Sequence, residues 1–567
     1  MKRTVPVLVG LVFSLVFAAG AAAQDLNAPK SKKRKGKTVE WAKNYLLEVK
    51  KHLRKSFVEA DRVSEQSLIQ ACTAGLVKSL DGDAHKKLDA ESREGLREVF
   101  MREGYKKISE VFTALQEHLA AGAIQHLSLE VLADSAAKSM VESVSDPYSH
   151  IFTFDELQKM MGMLSGQQRD DNLGFSVAPK SGRFEVGYVM YGYPAYWAGL
   201  QMGDEVQEIN GADPRTMKLQ EVAEAMKVKP GDSIALTVNR EGWLHPYRFT
   251  IKQEGRKPSD VVFKILPGDI GYLRLTIFDM TLENAVKSAM DRMAGKGIQG
   301  LILDLRQNPG GALNAAVAVA DQFIPGKSLI TKTESSYQVE LPIKIPGFAP
   351  GLDSTFYAGK KSPWEQIPMA VLINHTSASA SELLSGALQD LDRATLIGET
   401  SYGKGVGQTV IPLWRTGFPF PERYLYLTVM RYTLPTGRSI HGKGVEPDIH
   451  VPSPVITGEE FDRLWKLRES GAIEAYVEAA FAGQDDLAKD LATYDRFETE
   501  RYPGFDGFCQ GLKTNLPKSE VREEVRRALR IRWEREHGAS LVFDLQTDVQ
   551  LQQAVMELAD RLGLEQD

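Results

Sequence analysis

Two cysteines in 567 residues, Cys72 and Cys509, leave this chain without the material for a disulfide framework or a Cys-based zinc site. Their separation in sequence neither implies nor excludes one bridge between them, so packing has to hold the chain together. Positive charge is no more plentiful. Lys and Arg number 69 against 75 Asp and Glu, for a net charge of −6, and no binding signature points to nucleic acid. Beyond the N-terminus, no apolar run approaches the roughly 18 residues that span a bilayer. What is present is ordinary globular protein, 43% hydrophobic and 25% charged, too long for one core. The length implies about three or four domains.

The N-terminus is the exception. Lys2 and Arg3 precede VPVLVGLVFSLVFAAG, and Ala21-Ala22-Ala23 stands before Gln24. A charged start, an apolar run and a small-x-small site predict a secretory signal over 1–23, the alternative being an uncleaved anchor. No cysteine follows the small residues, which argues against lipid attachment. A basic linker and first helix occupy 24–60. The run KSKKRKGK (30–37) reads as a solvated linker, with peripheral contact to an anionic membrane as the alternative.

Helical patterning runs from about 38 to 145, giving a helical N-terminal domain over 61–168. Within it SEQSL (64–68) and LVKSL (76–80) recur weakly as SLEVL (128–132) and MVESV (140–144), which suggests a duplicated helical element. Asp146-Pro147-Tyr148-Ser149 closes the helical run, since proline disfavours helix in the residue before it. From 169 to 256 the pattern turns to short strands, NLGFSV, EVGYVM, DEVQEING and SIALTVNR, with one helix at 218–227. Residues 257–453 alternate strands and helices. Residues 454–567 form a charged helical extension, in which EVREEVRRALRIRW and DVQLQQAVMELADRL read as packing helices with solvated charged faces.

Leu173-Gly174-Phe175 could form a small nest of backbone N–H groups for a peptide carboxylate, with an extended peptide added beside FSV as a strand. Followed by PAYWAGL (194–200), GDEV (203–206) and ING (209–211), this segment resembles a PDZ domain. That resemblance implies a pocket for free C-termini at Leu173, Gly174 and Phe175.

The chemistry-bearing stretch is TSASASELLSGALQDLDRATLIGETSYGKGVGQ (376–408). The strand AVLIN (370–374) leads into it, and SELLSGALQDL has helical spacing. A serine at this strand-to-helix junction sits by unpaired helix N–H groups that can stabilise an oxyanion. Ser377, Ser379 and Ser381 compete as nucleophile, with Ser381 the natural helix cap. No G-x-S-x-G signature surrounds any serine. His375 and His441 are the nearest histidines by motif, and His375 reads as structural. Lys404, boxed by Gly403 and Gly405, is the better base, provided burial keeps its amine neutral. Gln408 could hold that amine. After the buried strand GLILDLR (300–306), the turn Gln307-Asn308-Pro309-Gly310-Gly311 could turn a glycine N–H toward the carbonyl that meets the Ala380 amide. Asn374-His375-Thr376 matches a glycosylation sequon, expected to be unmodified beside a nucleophile.

Taken in order, DPYS (146–149), GYLRL (271–275), DLRQNPGG (304–311), the 376–408 segment and RYTLPTGRSIHGKGVEPDI (431–449) closely resemble the carboxyl-terminal processing peptidases, or tail-specific proteases. The resemblance spans roughly 128–453 and includes the PDZ insertion. It implies a multidomain α+β architecture: a helical N-terminal region, a β-rich PDZ domain at 169–256, a crotonase-like (ββα) α/β peptidase core at 257–453 and the helical extension. It further implies Ser379 as nucleophile, Lys404 as general base, Gln408 as its orienter, and Gly311 and Ala380 as the oxyanion hole, with no metal or cofactor. Pro309 stands where glycine is also common in the family. The partners implied are protein or peptide substrates with free C-termini, with an adaptor or a second copy left open. A signal on a member of this family implies the periplasm or cell envelope. The alternatives are a catalytically silent PDZ scaffold and a Ser–His hydrolase using His375.

Overall fold

A computed structural model describes residues 37–564 apart from 123, 165–172, 181, 218, 254–258, 336, 338–352, 360, 362, 418–420, 455, 538–540 and 542. The expected signal and nearly all of the basic run lie outside the described residues. Among the described residues no helix is long and apolar enough to cross a membrane. Cys72 and Cys509 are both thiols. Burial pushes the Cys72 thiol up to about 12, which leaves it an inert core residue.

The chain divides into two compact units, one formed by residues up to 161 with 332–355 and 406–433, the other by 162–331, 356–405 and the residues from 434 on. In the first unit, helices Val39–Lys55, Glu65–Leu80, Ala90–Met101, Ile108–Ala121 and Leu129–Glu142 share one apolar core. Thr38, Ser64, Asp89 and Ser128 cap four of them by accepting a first-turn amide, which fixes where each begins. The two segments with recurring motifs are helices that pack on each other. They meet at Gly75, where a Cβ would lie 2.6 Å from the Ser135 carbonyl oxygen, and the Ser135 hydroxyl donates to the Gly75 carbonyl at 2.7 Å. Against these helices lies a sheet centred on Arg423–Thr433, paired antiparallel with His150–Thr153, Val406–Pro412 and residues 332–335.

The second unit holds two sheets. Phe175–Lys180, Arg183–Val189, Glu205–Ile209, Ser233–Asn239 and Tyr247–Lys252 pair antiparallel in chain order, with Phe175–Lys180 at one edge. The helix expected at 218–227 is present as Leu219–Ala225. The other sheet runs in the order Ile449–His450, Thr395–Gly398, Met369–Ile373, Gly300–Asp304, Ile270–Leu275, Val261–Leu266. All its neighbours are parallel except the last pair. Its central strands are buried along their whole length, as strands covered on both faces must be. On one face Gly271 lies against Met293 of the crossover helix Leu282–Ala294. On the other, Tyr272, Ile302, Ala370, Leu372 and Ile397 pack with Leu551, Ala554 and Leu558 of the C-terminal helix Val549–Leu562.

The extension thus completes the core of the parallel sheet. The expectation of a solvated charged face fails on its Lys518–His537 helix, where Arg522, Glu524 and Arg526 are buried. Each charge finds an opposite partner: Arg522 with Asp495, Arg526 with Asp544, and Arg468 with Glu524. Helical periodicity shows where charges fall along a helix but not that another segment brings countercharges to them.

Candidate active site

The strand Met369–Ile373 ends just before Asn374, and five residues after Asn374, at Ser379, the chain makes a strained turn into the helix Ala380–Asp390. Ser379 is the N-cap residue of that helix, not Ser381, with φ 55° and ψ −110°. A non-glycine residue in this region costs on the order of 1–3 kcal/mol and persists only where its surroundings impose it. The two neighbouring serines are spoken for. Ser377 and Ser381 are fully buried, and their hydroxyls donate to the carbonyls of Leu305 and Asn308, each at 2.9 Å. Only Ser379 of the three is partly exposed. The sequon is built into the same turn. Asn374 is buried, and its Oδ1 accepts from the Gln307 amide at 3.2 Å and the Thr376 hydroxyl at 2.9 Å.

The Asn308-Pro309-Gly310-Gly311 turn is pressed against this elbow. The Asn308 carbonyl accepts from the Ala378 amide at 3.1 Å as well as from Ser381. A Cβ on Gly310 would sit 2.6 Å from the Ala378 oxygen, 2.8 Å from Ser379 Cβ and 2.9 Å from the Ala380 nitrogen. Gly310, at φ 97°, is therefore required both by its conformation and by the contact. Gly311 bridges Phe278 through the bonds Phe278 N–H to Gly310 O and Ala312 N–H to Phe278 O, which turns the Gly311 amide the other way. The strand leading into the turn is held by Asp304, fully buried between Arg274 and Arg306. Burial alone would raise this carboxyl, yet the two guanidiniums hold it down at about 2. Arg274 also donates to Gln307 Oε1 at 2.6 Å and stacks 3.6 Å over the Tyr191 ring. Arg306 reaches Asp548 and Gln550 of the extension.

Lys404 is delivered by a loop folded against residues 440–445. Gly442 N–H donates to Gly403 O at 2.8 Å, and Ser401 N–H to Val445 O at 3.1 Å. Side chains at 403 or 405 would run into this backbone: a Cβ on Gly405 would lie 2.7 Å from the His441 nitrogen. The boxing glycines are there for close approach. The link between elbow and loop is Glu382, which sequence reading passed over. Its Oε2 accepts from the Ser379 and Lys404 amides, both at 2.8 Å. Its Oε1 accepts from the Gly403 amide at 2.6 Å and the Ser401 hydroxyl at 2.5 Å. Burial raises the Glu382 carboxyl, and these four donors oppose the rise without cancelling it. The signal was available, since Ser379-Ala-Ser-Glu382 is the S-x-x-E pattern of a capping box.

Four predicted residues therefore sit in one constellation: Ser379, Ala380, Gly311 and Lys404. Gln408 lies in the other unit, beside Thr428. Leu173, Gly174 and Phe175 sit where the edge strand Phe175–Lys180 begins, with Leu173 and Phe175 buried. Gly174 has φ 82°, and its Cβ would fall on Tyr193. The Gly174 and Leu173 carbonyls accept from Met190 and Ala195 amides at 2.7 and 3.1 Å. His375 points to solvent with its ring 3.6 Å from Glu399, and His441 is also exposed.

Comparison with known proteins matches this layout. The model for peptidase family S41 matches residues 269–451, and one for the PDZ domain matches 185–240. The carboxy-terminal-processing protease of Bartonella bacilliformis is 34% identical over 328 residues, covering 57% of this chain and 70% of that protein. The chain belongs to the carboxyl-terminal-processing proteases of peptidase family S41. A second such protease, from Synechocystis sp., is 28% identical over 383 residues, 67% of this chain and 80% of its own. Among solved structures, the photosystem II D1 C-terminal processing protease has the same fold at 20% identity, with a TM-score of 0.50 over 72% of this chain and 93% of that one. The chain is a serine peptidase with a PDZ domain and helical segments at both ends, as its motifs imply.

Proposed function

We propose that this processing protease is an exported endopeptidase that captures the free C-terminus of a protein substrate and cuts the chain with a Ser379–Lys404 dyad. Supporting this most directly is one buried carboxylate, Glu382, bonded to the amides of both Ser379 and Lys404 beside the Asn308–Gly311 turn. A neutral Lys404 amine takes the Ser379 proton as the hydroxyl oxygen attacks the scissile carbonyl. The Gly311 and Ala380 amides hold the oxyanion. Lysine then returns the proton to the leaving amine, and a water deprotonated by the same lysine hydrolyses the acyl-enzyme. Gln408 orients the lysine. The substrate tail adds beside Phe175–Lys180, its carboxylate at the Leu173-Gly174-Phe175 amides. Export to the periplasm or cell envelope rests on residues 1–23.

The test is a set of unstructured peptides with free or amidated C-termini, their products read by mass spectrometry. Wild type should cut free-ended peptides, with EDTA making no difference, and Ser379→Ala and Lys404→Ala should not cut. Equal cutting of amidated peptides would remove tail recognition. Cleavage by either variant would remove the dyad, and tail binding without any cleavage would make the chain a binding scaffold. An intact N-terminus on protein recovered from the envelope would argue for an anchor.

A further inference from the structure

The first unit contains a chain of polar contacts that ends on Gln408 and whose other members have no part in the mechanism. Thr428 lies on the Arg423–Thr433 strand, directly across from Gln408 on Val406–Pro412, and the register breaks between Gly407 and Gln408. Such a break re-aims the side chain that follows it. Gln408 Nε2 donates to Thr428 Oγ1 at 3.1 Å, and Thr428 Oγ1 donates to Asp146 Oδ2 at 2.7 Å. The Ser149 hydroxyl also donates to Asp146 Oδ2, and accepts from the Thr428 amide at 3.1 Å. Thr428 and Ser149 are buried, so water does not compete for these bonds.

The direction of every bond in this chain follows from chemistry. A carboxylate has no proton to give, so Asp146 can only accept. The single proton of the Thr428 hydroxyl is therefore committed to Asp146, and its oxygen can only accept from the next group. Gln408 must then present its NH2 to Thr428. The two ends of a glutamine amide are otherwise interchangeable by shape, and here the carboxylate decides between them. What remains at the other end is Oε1, an acceptor. An acceptor is what a neutral lysine amine requires of its orienting neighbour, because its lone pair is kept for the serine proton and only its N–H groups are left to bond.

We infer that Asp146 and Thr428 are positioning residues of the protease: they form a one-way hydrogen-bond relay that fixes the Gln408 amide with Nε2 on Thr428 and Oε1 at its other end. The inference rests on the reading that Lys404 is the base and Gln408 its orienter. It also gives the DPYS segment a task beyond ending the helical region, since Asp146 and Ser149 are its first and last members. Reversal of the amide would exchange the acceptor at that end for a donor.

The experiment uses the full chain and a fluorescence-quenched unstructured peptide with a free apolar C-terminal residue. Thr428→Val keeps the shape and removes the hydroxyl; it should lower kcat about tenfold, with KM within twofold and the melting temperature near wild type. Thr428→Ser keeps the hydroxyl and removes a buried methyl. It should show the opposite split, a lower melting temperature with kcat restored. Asp146→Asn, which can donate and so reverse the relay, should resemble Thr428→Val. Thr428→Val added to Gln408→Ala should cause no further loss, because both act through one amide. A Thr428→Val enzyme within twofold of wild type in kcat would overturn the relay, as would a full second loss in the double variant, and in both cases the dyad would stand if Ser379→Ala and Lys404→Ala are dead. Unaltered kcat in Gln408→Ala would overturn the relay together with Gln408's own role. Turnover surviving in Ser379→Ala would remove the reading underneath, and this inference with it.

Discussion

Asp304 and Glu382 are both fully buried carboxylates within the catalytic core, and they are compensated in opposite ways. Asp304 lies between two guanidiniums and is held down at about 2. Glu382 is met by three amides and a hydroxyl, all neutral, and its carboxyl stays raised. Full charges outweigh desolvation at the first site, and dipoles fall short of it at the second. One carboxylate anchors a strand end, and the other joins two loops at a standing electrostatic cost.

Breaking the first site should have the largest effect. Asp304→Ala takes the carboxylate from buried Arg274 and leaves Arg306 with Asp548 alone, and should destabilise the protein by about 3–5 kcal/mol, read by urea unfolding. Wild-type stability from Asp304 should be present above its unfolded value of roughly 4 and lost as the pH falls toward about 2. At the second site, Glu382→Gln leaves one oxygen for four donors. It should cost about 1.5–3 kcal/mol and lower kcat by roughly a hundredfold. Its pH signature has the reverse sign. Because the folded carboxyl is raised, the native state binds the proton more tightly, and wild type should lose stability relative to Glu382→Gln as pH rises above roughly 4.3. A difference that is flat with pH would erase the contrast. Gly310→Ala, with its Cβ 2.6 Å from the Ala378 oxygen, should cost about 1–3 kcal/mol and reduce turnover through the displaced elbow. The smallest effect belongs to His375→Ala. An exposed ring 3.6 Å from Glu399 should change stability by no more than about 0.5 kcal/mol and leave kcat alone. A dead His375→Ala enzyme would revive a Ser–His site.

Much of this was legible in the chain. The strand-to-helix junctions at 304–313 and 373–380 could be read because local composition dictates them: a continuous apolar run, a glycine turn, then small residues at helical spacing. The boxing of Lys404 by glycines was visible, but its reason, backbone approach by residues 440–445, needed the fold. Ser381 was the wrong cap because propensity favours a relaxed serine, whereas the structure places a strained one at 379. What pattern could not reveal was partnership at long range. Nothing local in 518–537 marks Arg522 for Asp495, and nothing in DPYS marks Asp146 for Thr428.

The cover on the catalytic sheet sets a condition on biosynthesis. Leu551, Ala554 and Leu558 fill the face formed by Tyr272, Ile302 and Leu372, and Asp548 pairs with Arg306, two residues from the start of the Asn308–Gly311 turn. A nascent chain that has not reached Val549 leaves that apolar face open and that arginine with one carboxylate fewer. The ribosome can finish every residue of the elbow and the lysine loop without finishing the surface that supports them, so any message cut short in this last stretch yields an aggregation-prone fragment rather than a smaller enzyme.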